Sequence, residues 1–296
     1  MIVHLIDGTY ELYRQHFGQS VRHSTPAPLS AAKGVVTSTM QLLAGGATHV
    51  AVAVDHVIES FRNELYEGYK TADEEADEIL SQIPMMEEAL AALGVTVWPM
   101  VKYEADDGLA AGAVLAAADP RVDQVQMLTP DKDLGQVVSG NRIVQFDRRQ
   151  DKILNEDAIR AKFGVGPASI ADWLALVGDA ADGFPGLPGW GAKSASVVLA
   201  TYGTIESIPL DSQRWLEDGV QVRGAAKLSA TLADNQELAR LFKVVATVVT
   251  DVSDDIDIGS VDSWQWRGPT KDLAKVSTAL GLTDIAERAE RALVGR

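Results

Sequence analysis

Nine carboxylates fall in five packets within the first 182 residues: Asp7, then Asp55, then Glu104, Asp106 and Asp107, then Asp131 and Asp133, then Asp179 and Asp182. Carboxylates gathered within a few ångströms repel one another and shift each other's pKa unless a hard cation neutralises them. All-oxygen donors suit Mg²⁺ or Mn²⁺ (magnesium or manganese). The chemistry this pattern suggests is therefore metal-dependent. What must position these acids is readable alongside them. Asp7 closes the apolar run Ile2 to Ile6, Asp55 closes Val50 to Val54, and Asp131 follows Val125 to Leu128. Each run has the length and composition of a buried strand. In an open parallel sheet ligands bind beyond the carboxyl ends of the strands, so acids there converge on one crevice.

Short apolar runs alternate with helical stretches up to residue 150, which predicts an α/β fold with a mainly parallel sheet flanked by helices. From Asn155 onward the pattern is helical. Asn155 caps a helix over 156–163 that Gly164 ends, Pro167 opens the next one through Val177, and 235–250 continues the helical reading with a Val-rich, strand-like end. Residues 251–263 are acidic and turn-like, and 271–293 reads as two closing helices. The expected division is residues 1–150 as the α/β core and residues 151–296 as a helical subdomain, its last helices returning to the core.

Composition limits the function classes. The chain has 296 residues, 46% of them hydrophobic, and no cysteine, which excludes disulfides, Cys-ligated zinc and thiol catalysis. Met1 to Asp7 enters a strand with no basic leader, and the longest apolar stretch, Gly108 to Ala118, is too short to span a bilayer. A soluble cytoplasmic protein is expected, without membrane contact. The net charge of −16 argues against diffuse nucleic-acid affinity, so any polyanion must be held by local cations.

Two packets have a plainer reading of their own. Glu104, Asp106 and Asp107 precede an Ala-rich helix, where acids complement the dipole, and Asp131 and Asp133 suit a strand-to-helix turn. Five packets together, three at strand ends, are much harder to assign to capping. Asp147, Asp151 and the charges after Glu206 lack such a pattern and read as surface. The fifth packet runs into a Gly/Pro-rich turn and a helix start near Ala192. Gly186, Gly189 and Gly191 permit close backbone approach, and the helix start offers free N–H groups to a phosphate. A corner that merely packs is the alternative.

Leu5-Ile6-Asp7-Gly8, Phe61 to Tyr66 with Tyr69-Lys70, Tyr103 to Asp107, Asp131-Lys132-Asp133-Leu134 with Gln136, and Gly178-Asp179 through Lys193-Ser194-Ala195 resemble, in order, the motif series of the 5′-nuclease family. That family comprises the 5′–3′ exonuclease domain of bacterial DNA polymerase I, phage 5′ nucleases and flap endonucleases. The resemblance covers residues 1–255 and implies a free-standing form of that domain with a PIN-like nuclease core and a helix–hairpin–helix element at about residues 172–200. It further implies two ions: Asp7, Asp55, Asp106 and Asp131 at the first, supported by Glu104 and Asp107, and Asp133, Asp179 and Asp182 at the second. Arg62 and Lys70 match positions that hold the scissile phosphate, and eight residues of helix would place them on one face. Gly189, Gly191, Lys193 and Ser194 match the element that grips duplex DNA, where relatives bind potassium.

Two departures stand out. Residues 71–78 are acidic where relatives carry a basic arch, which questions threading of a 5′ strand. Asp182-Gly183-Phe184-Pro185 replaces the usual Asp-Asn-Ile-Pro, and Trp190 replaces a smaller aliphatic residue. The implied function is two-metal hydrolysis of DNA at 5′ ends, flaps or nicks by a monomer, in a bacterial nucleoid-associated setting. Alternatives are an RNA- or RNA-primer-directed nuclease of the same fold and a weakly active branched-DNA-binding protein. A haloacid-dehalogenase phosphatase, suggested by Asp7-Gly8-Thr9, lacks the required nucleophilic Asp, since Leu5 stands there.

Overall fold

A computed structural model describes residues 1–20, 27–72 and 77–295. Its centre is a six-stranded sheet of order β3-β2-β1-β4-β5-β6, with β1 Ile2–Asp7, β2 His49–Asp55, β3 Thr96–Met100, β4 Gln124–Leu128, β5 Ile143–Asp147 and β6 Lys152–Leu154. The pairs from β3 through β5 are parallel, and β6 returns antiparallel. Strands β1 and β2 are nearly continuous apolar runs because helices cover both faces, as a parallel sheet requires. The helices in chain order are α1 Gly8–Ser20, α2 Ser30–Ala44, α3 Phe61–Leu65, α4 Asp77–Leu80, α5 Ile83–Ala92, α6 Ala105–Ala118, α7 Glu156–Phe163, α8 Ile170–Val177, α9 Ala192–Tyr202, α10 Ser212–Glu217, α11 Ala225–Asp234, α12 Gln236–Ala246, α13 Leu273–Ala279 and α14 Ile285–Val294. Among the described residues no helix is long and apolar enough to cross a membrane.

The two sheet faces carry separate cores. One buries Ile6, Val52 and Val54 under α2, α5, α13 and α14. The other buries Leu5, Ala53 and Met127 under α6 and runs without interruption into the helical region through Ile170, Leu174 and Phe242. The sheet also continues to Leu154, past residue 150. Small residues let α6 lie close: a Cβ on Gly112 would meet the Trp98 ring at 2.6 Å. Helix α8 is buried almost all round and pairs with α12, which is why its sequence lacks a polar stripe.

Local signals decided several boundaries. The Asn155 side chain accepts from Ala158 N–H at 3.0 Å, and Gly164 ends α7 at φ 74°. The helical reading over 235–250 is too long, because α12 stops at Ala246. Gln136 donates to Ala246 O at 2.7 Å and accepts from Val248 N–H at 3.2 Å, and Asp107 accepts from Val249 N–H at 2.7 Å, so the backbone is captured by side chains instead of continuing the helix.

Candidate active site

The crevice forms at the carboxyl ends of β1, β2 and β4. Asp7 is 6% exposed, and its Oδ1 and Oδ2 accept from Tyr10 N–H (2.8 Å) and Thr129 Oγ1 (3.0 Å). Asp55 accepts from Ala105 N–H at 2.7 Å, which ties the end of β2 to the start of α6 and brings Asp106 alongside. Gly8 makes this convergence possible: a Cβ there would come within 2.8 Å of Ala53 O. Asp131 lies at the exposed lip after β4, accepting from Asp133 N–H at 2.9 Å.

Asp179 and Asp182 reach the crevice from the turn after α8. Asp179 and Phe184 exchange backbone hydrogen bonds of 2.8 and 3.1 Å, and Lys70 N–H donates to Asp182 O at 3.0 Å, stitching the turn to residues 68–70. Gly183, at φ 84°, is the contact point, since a Cβ would stand 2.3 Å from Gly68 O. Carboxylate oxygens of Asp133, Asp179 and Asp182 then lie within 4.8 Å of one another. Asp133 is 7% exposed, and its Oδ1 is buried with no hydrogen-bond partner. An orphaned anionic oxygen in an all-carboxylate cluster fits a hard divalent cation. Two lysines reach this cluster. Lys70 Nζ contacts Glu104 Oε2 (2.7 Å) and Asp182 Oδ1 (2.9 Å), and Lys132 Nζ contacts Asp179 Oδ2 (2.5 Å).

Burial and like charge raise most of the crevice carboxyls, and Lys70 opposes the rise at Asp55, Asp106 and Asp182. Burial pushes Asp7 up to about 7 despite its two hydrogen bonds, with Asp55 and Asp131 adding to the rise. Burial followed by the Asp131 charge carries Asp106 and Asp133 well above the usual carboxylate range. Asp131 thus acts on both groups of acids. Asp55 and Asp182 are raised by burial against the opposing pull of Lys70. Glu104 alone is held low: burial disfavours its charge, but Lys70 and Arg62 outweigh it.

Arg62 requires a correction. The chain leaves the helix after Leu65, and Tyr66 is extended at φ −142°, ψ 113°, so the shared helical face of Arg62 and Lys70 does not exist. Arg62 is 3% exposed and uses its fork behind the crevice, on Asp107 Oδ1 and Oδ2 (2.8 and 2.7 Å), Glu104 Oε1 (3.3 Å), Val245 O (2.8 Å) and Thr247 O (3.0 Å). No donor is left for a phosphate. Asp107, fully buried, spends both oxygens on Arg62, Glu104 N–H and Val249 N–H, so it braces the crevice from behind and has no lone pair aimed at an ion. Glu104 is likewise engaged by Ser60, Arg62, Tyr69 and Lys70.

Three residues passed over in the sequence also matter here. Lys132 entered only within the motif Asp131-Lys132-Asp133-Leu134, with no role of its own. Asp255, among charges read as surface, accepts from the N–H groups of Val101, Lys102 and Tyr103 and fixes the loop leading to Glu104. Asp147, also read as surface, is 7% exposed and caps the β5–β6 turn through Arg149 and Gln150 N–H. An acid two residues before an N–H group that donates to it is the local signal for such a turn.

Beyond Asp182 the turn continues to α9. Gly186 needs its small side chain, since a Cβ would stand 2.4 Å from Gly178 N. Gly189 and Gly191 differ from the close-approach expectation: a Cβ on either meets nothing within 4 Å. They face an open groove of about 530 Å³ lined by Lys193, Ser194, Gln221 and Arg223. Ser194 Oγ accepts from Gly191 N–H at 3.0 Å and shapes the helix start, while Lys193 is exposed. Trp190 is buried against Trp215, ring centroids 6.0 Å apart, so its bulk serves packing. Residues 73–76 of the acidic segment lie outside the described residues, and Asp77 and Glu78 are exposed at the start of α4.

The 5′-3′ exonuclease N-terminal resolvase-like domain matches residues 2–164, and the 5′-3′ exonuclease C-terminal SAM fold matches residues 165–272. The chain is 32% identical over 216 residues to a 5′-3′ exonuclease of Aquifex aeolicus, covering 70% of this chain and 71% of that one. It is 34% identical over 265 residues to DNA polymerase I of Pseudomonas aeruginosa, covering 86% of this chain and 28% of the polymerase. It spans between 26% and 32% of the polymerases of this kind that it matches first. The fold is also that of the phage T5 D15 protein co-crystallised with metal ions (TM-score 0.68, 18% identity, 97% and 100% of the chains). The catalytic core of Rad2 in complex with DNA shares it too (TM-score 0.62, 16% identity, 99% and 91%). This chain belongs to the 5′–3′ exonuclease family, a family of nucleases, with an α/β resolvase-like core and a helical C-terminal region.

Proposed function

We propose that this protein hydrolyses DNA phosphodiester bonds at 5′ ends and 5′ flaps, with Mg²⁺ or Mn²⁺ held in two groups: Asp7, Asp55, Asp106 and Asp131, and Asp133, Asp179 and Asp182. The observation that carries the reading is the continuity of one segment. The turn that delivers Asp179 and Asp182 to the crevice leads directly into the open, basic groove of Gly189, Gly191, Lys193 and Arg223, so duplex held there would lie on the same segment that carries two of the acids. Potassium at that hairpin, with the exposed α9 start, belongs to the same reading. Divalent ions in the crevice supply charge neutralisation at the scissile phosphate and a more acidic attacking water.

The chain's own residues do the rest. Lys70, fixed by Glu104 and Asp182, puts a positive charge inside the crevice, available to a phosphate oxygen as charge builds. Thr129 and Tyr10 N–H orient Asp7. Arg62 and Asp107 hold α6 against the backbone of residues 245–249, which keeps Asp106 forward. A monomer in the bacterial cytoplasm, near the nucleoid, belongs to the same reading, and the net charge of −16 leaves DNA contact to local cations such as Lys193 and Arg223.

End-labelled 5′-flap, nicked, overhang and single-stranded DNA, with RNA-primed duplex in parallel, each with Mg²⁺, Mn²⁺ or EDTA, tests the proposal. Ion-dependent release of short 5′ products from flap or nicked DNA is expected. Preference for the RNA-primed duplex would move the substrate to primers, and binding without cleavage in either ion would sink the hydrolytic reading.

A further inference from the structure

We propose that Lys132 is a positioning residue that serves as a tethered counter-cation for Asp133, Asp179 and Asp182 and weakens divalent-ion binding there until it is displaced. The inference rests on the reading above that these three acids hold an ion.

Both oxygens of Asp179 are occupied. Oδ1 accepts from Ala181 N–H at 3.0 Å, which shapes the turn, and Oδ2 pairs with Lys132 Nζ at 2.5 Å. Each oxygen keeps a second lone pair, but an ion bound beside Oδ2 would stand against the Lys132 ammonium, so charge repulsion sets the two cations in competition. The backbone hydrogen bond belongs to the turn, so the lysine is the partner that yields. Its side chain is 31% exposed, which gives the ammonium a route to solvent, while the Asp179 side chain is 5% exposed. Lys70 is placed differently. It bridges Glu104 and Asp182, and its own N–H is bonded to Asp182 O, so it is anchored at both ends. Lys132 pairs with Asp179 alone among the carboxylates of the described residues and stands between Asp131 and Asp133, with its carbonyl held by Gly135 N–H at 3.0 Å. The main chain is thereby fixed and the ammonium can swing. Asp133 Oδ1, buried without a partner, remains available to the incoming ion throughout. At the other group, Asp7, Asp55, Asp106 and Asp131, no lysine ammonium forms an ion pair within 4 Å among the described residues, so ion binding there displaces no such contact.

The test is Mn²⁺ binding to the full chain without DNA, followed by electron paramagnetic resonance and calorimetry. Two classes of site are expected. Lys132→Met should tighten the weaker class about fivefold to tenfold, the worth of a partly exposed ion pair in competition, and leave the tighter class within about twofold. Lys132→Arg, which keeps the charge, should keep the weaker class weak. Asp179→Asn identifies that class by weakening it further. If the Met variant loses its helical circular dichroism, Lys132→Gln repeats the measurement at similar length. A weaker class unmoved by Lys132→Met, or tightened equally by Lys132→Arg, overturns the inference while Asp179→Asn still confirms the ion group. Wild-type binding in Asp179→Asn would remove the ion group itself, and the inference with it.

Discussion

Behind α6, Glu104 and Asp107 share the Arg62 guanidinium and the backbone N–H groups around it; in front, Asp7, Asp106 and Asp133 face one another across an acidic gap. Residue types are the same on both walls, and depth of burial is similar for Asp107, at 0%, and Asp133, at 7%. The difference lies in the supply of positive charge. The rear acids carry their counter-ion within the fold, so their negative charge stabilises the structure. The forward acids are pushed toward protonation by burial and by one another's charge, which the nearby lysines offset only in part for Asp106 and Asp133. A carboxylate cluster is thus divided into scaffold and ligand candidates by where the chain places its few cations.

The largest effect expected from breaking this division is on the rear wall. Arg62→Ala strands Asp107 and Glu104 without their counter-ion, and loss of one partner of a buried pair typically costs about 3–5 kcal/mol. Denaturant unfolding measures it; a loss below about 1 kcal/mol would mean that the rear acids are not scaffold. Arg62→Lys should rescue little, since an ammonium cannot reproduce the fork.

Asp131→Ala probes the front. Stability should stay near wild type, because Asp131 is exposed and makes one local side-chain hydrogen bond, whereas cleavage should fall about 100-fold or more, roughly 3 kcal/mol of barrier. A folded variant that cuts at a near-normal rate removes Asp131 from the chemistry.

pH sharpens the contrast. With Asp7 raised to about 7, the metal-free fold keeps a proton there from about pH 4, where the unfolded chain releases it, up to about 7. Asp7 therefore withdraws stability as pH rises through that window, and a divalent ion must expel the proton below 7. Mn²⁺ affinity should climb about fivefold between pH 6 and 7, with proton release visible by calorimetry in buffers of different ionisation enthalpy. Affinity that is flat with pH and releases no proton would show that the forward acids are already ionised.

The smallest effect is expected in the hairpin groove. Lys193→Ala should weaken duplex binding less than tenfold and make the salt slope shallower by about one unit, with bound DNA cleaved at the normal rate. An unchanged slope would leave the groove as a packing feature.

Much of the α/β core was legible because strand composition and strand-end acids are local properties. Ile2 to Ile6 must be buried, and Asp7 after it must emerge at the sheet's edge. The helix over 156–163 was legible for the same reason, through a side-chain cap at Asn155 and a left-handed glycine at 164. Misreadings arose where partners are remote. Arg62 was given a helical neighbour in Lys70, but Tyr66 breaks the helix and Arg62 bonds Val245 and Thr247 instead. The end of α12 depends on Gln136 and Asp107. Asp255 seemed idle until the chain folded back on Val101 to Tyr103.

The sequence by itself determined which residues bear charge, which runs bury, and that acids stand at the ends of the strands, since these follow from side-chain chemistry and backbone periodicity. Only the tertiary structure decided which acids have a cation within 3 Å and which do not. Coulomb energy depends on distances between residues such as Arg62 and Asp107, or Lys132 and Asp179, that are 45 and 47 positions apart along the chain, and no local pattern encodes those distances.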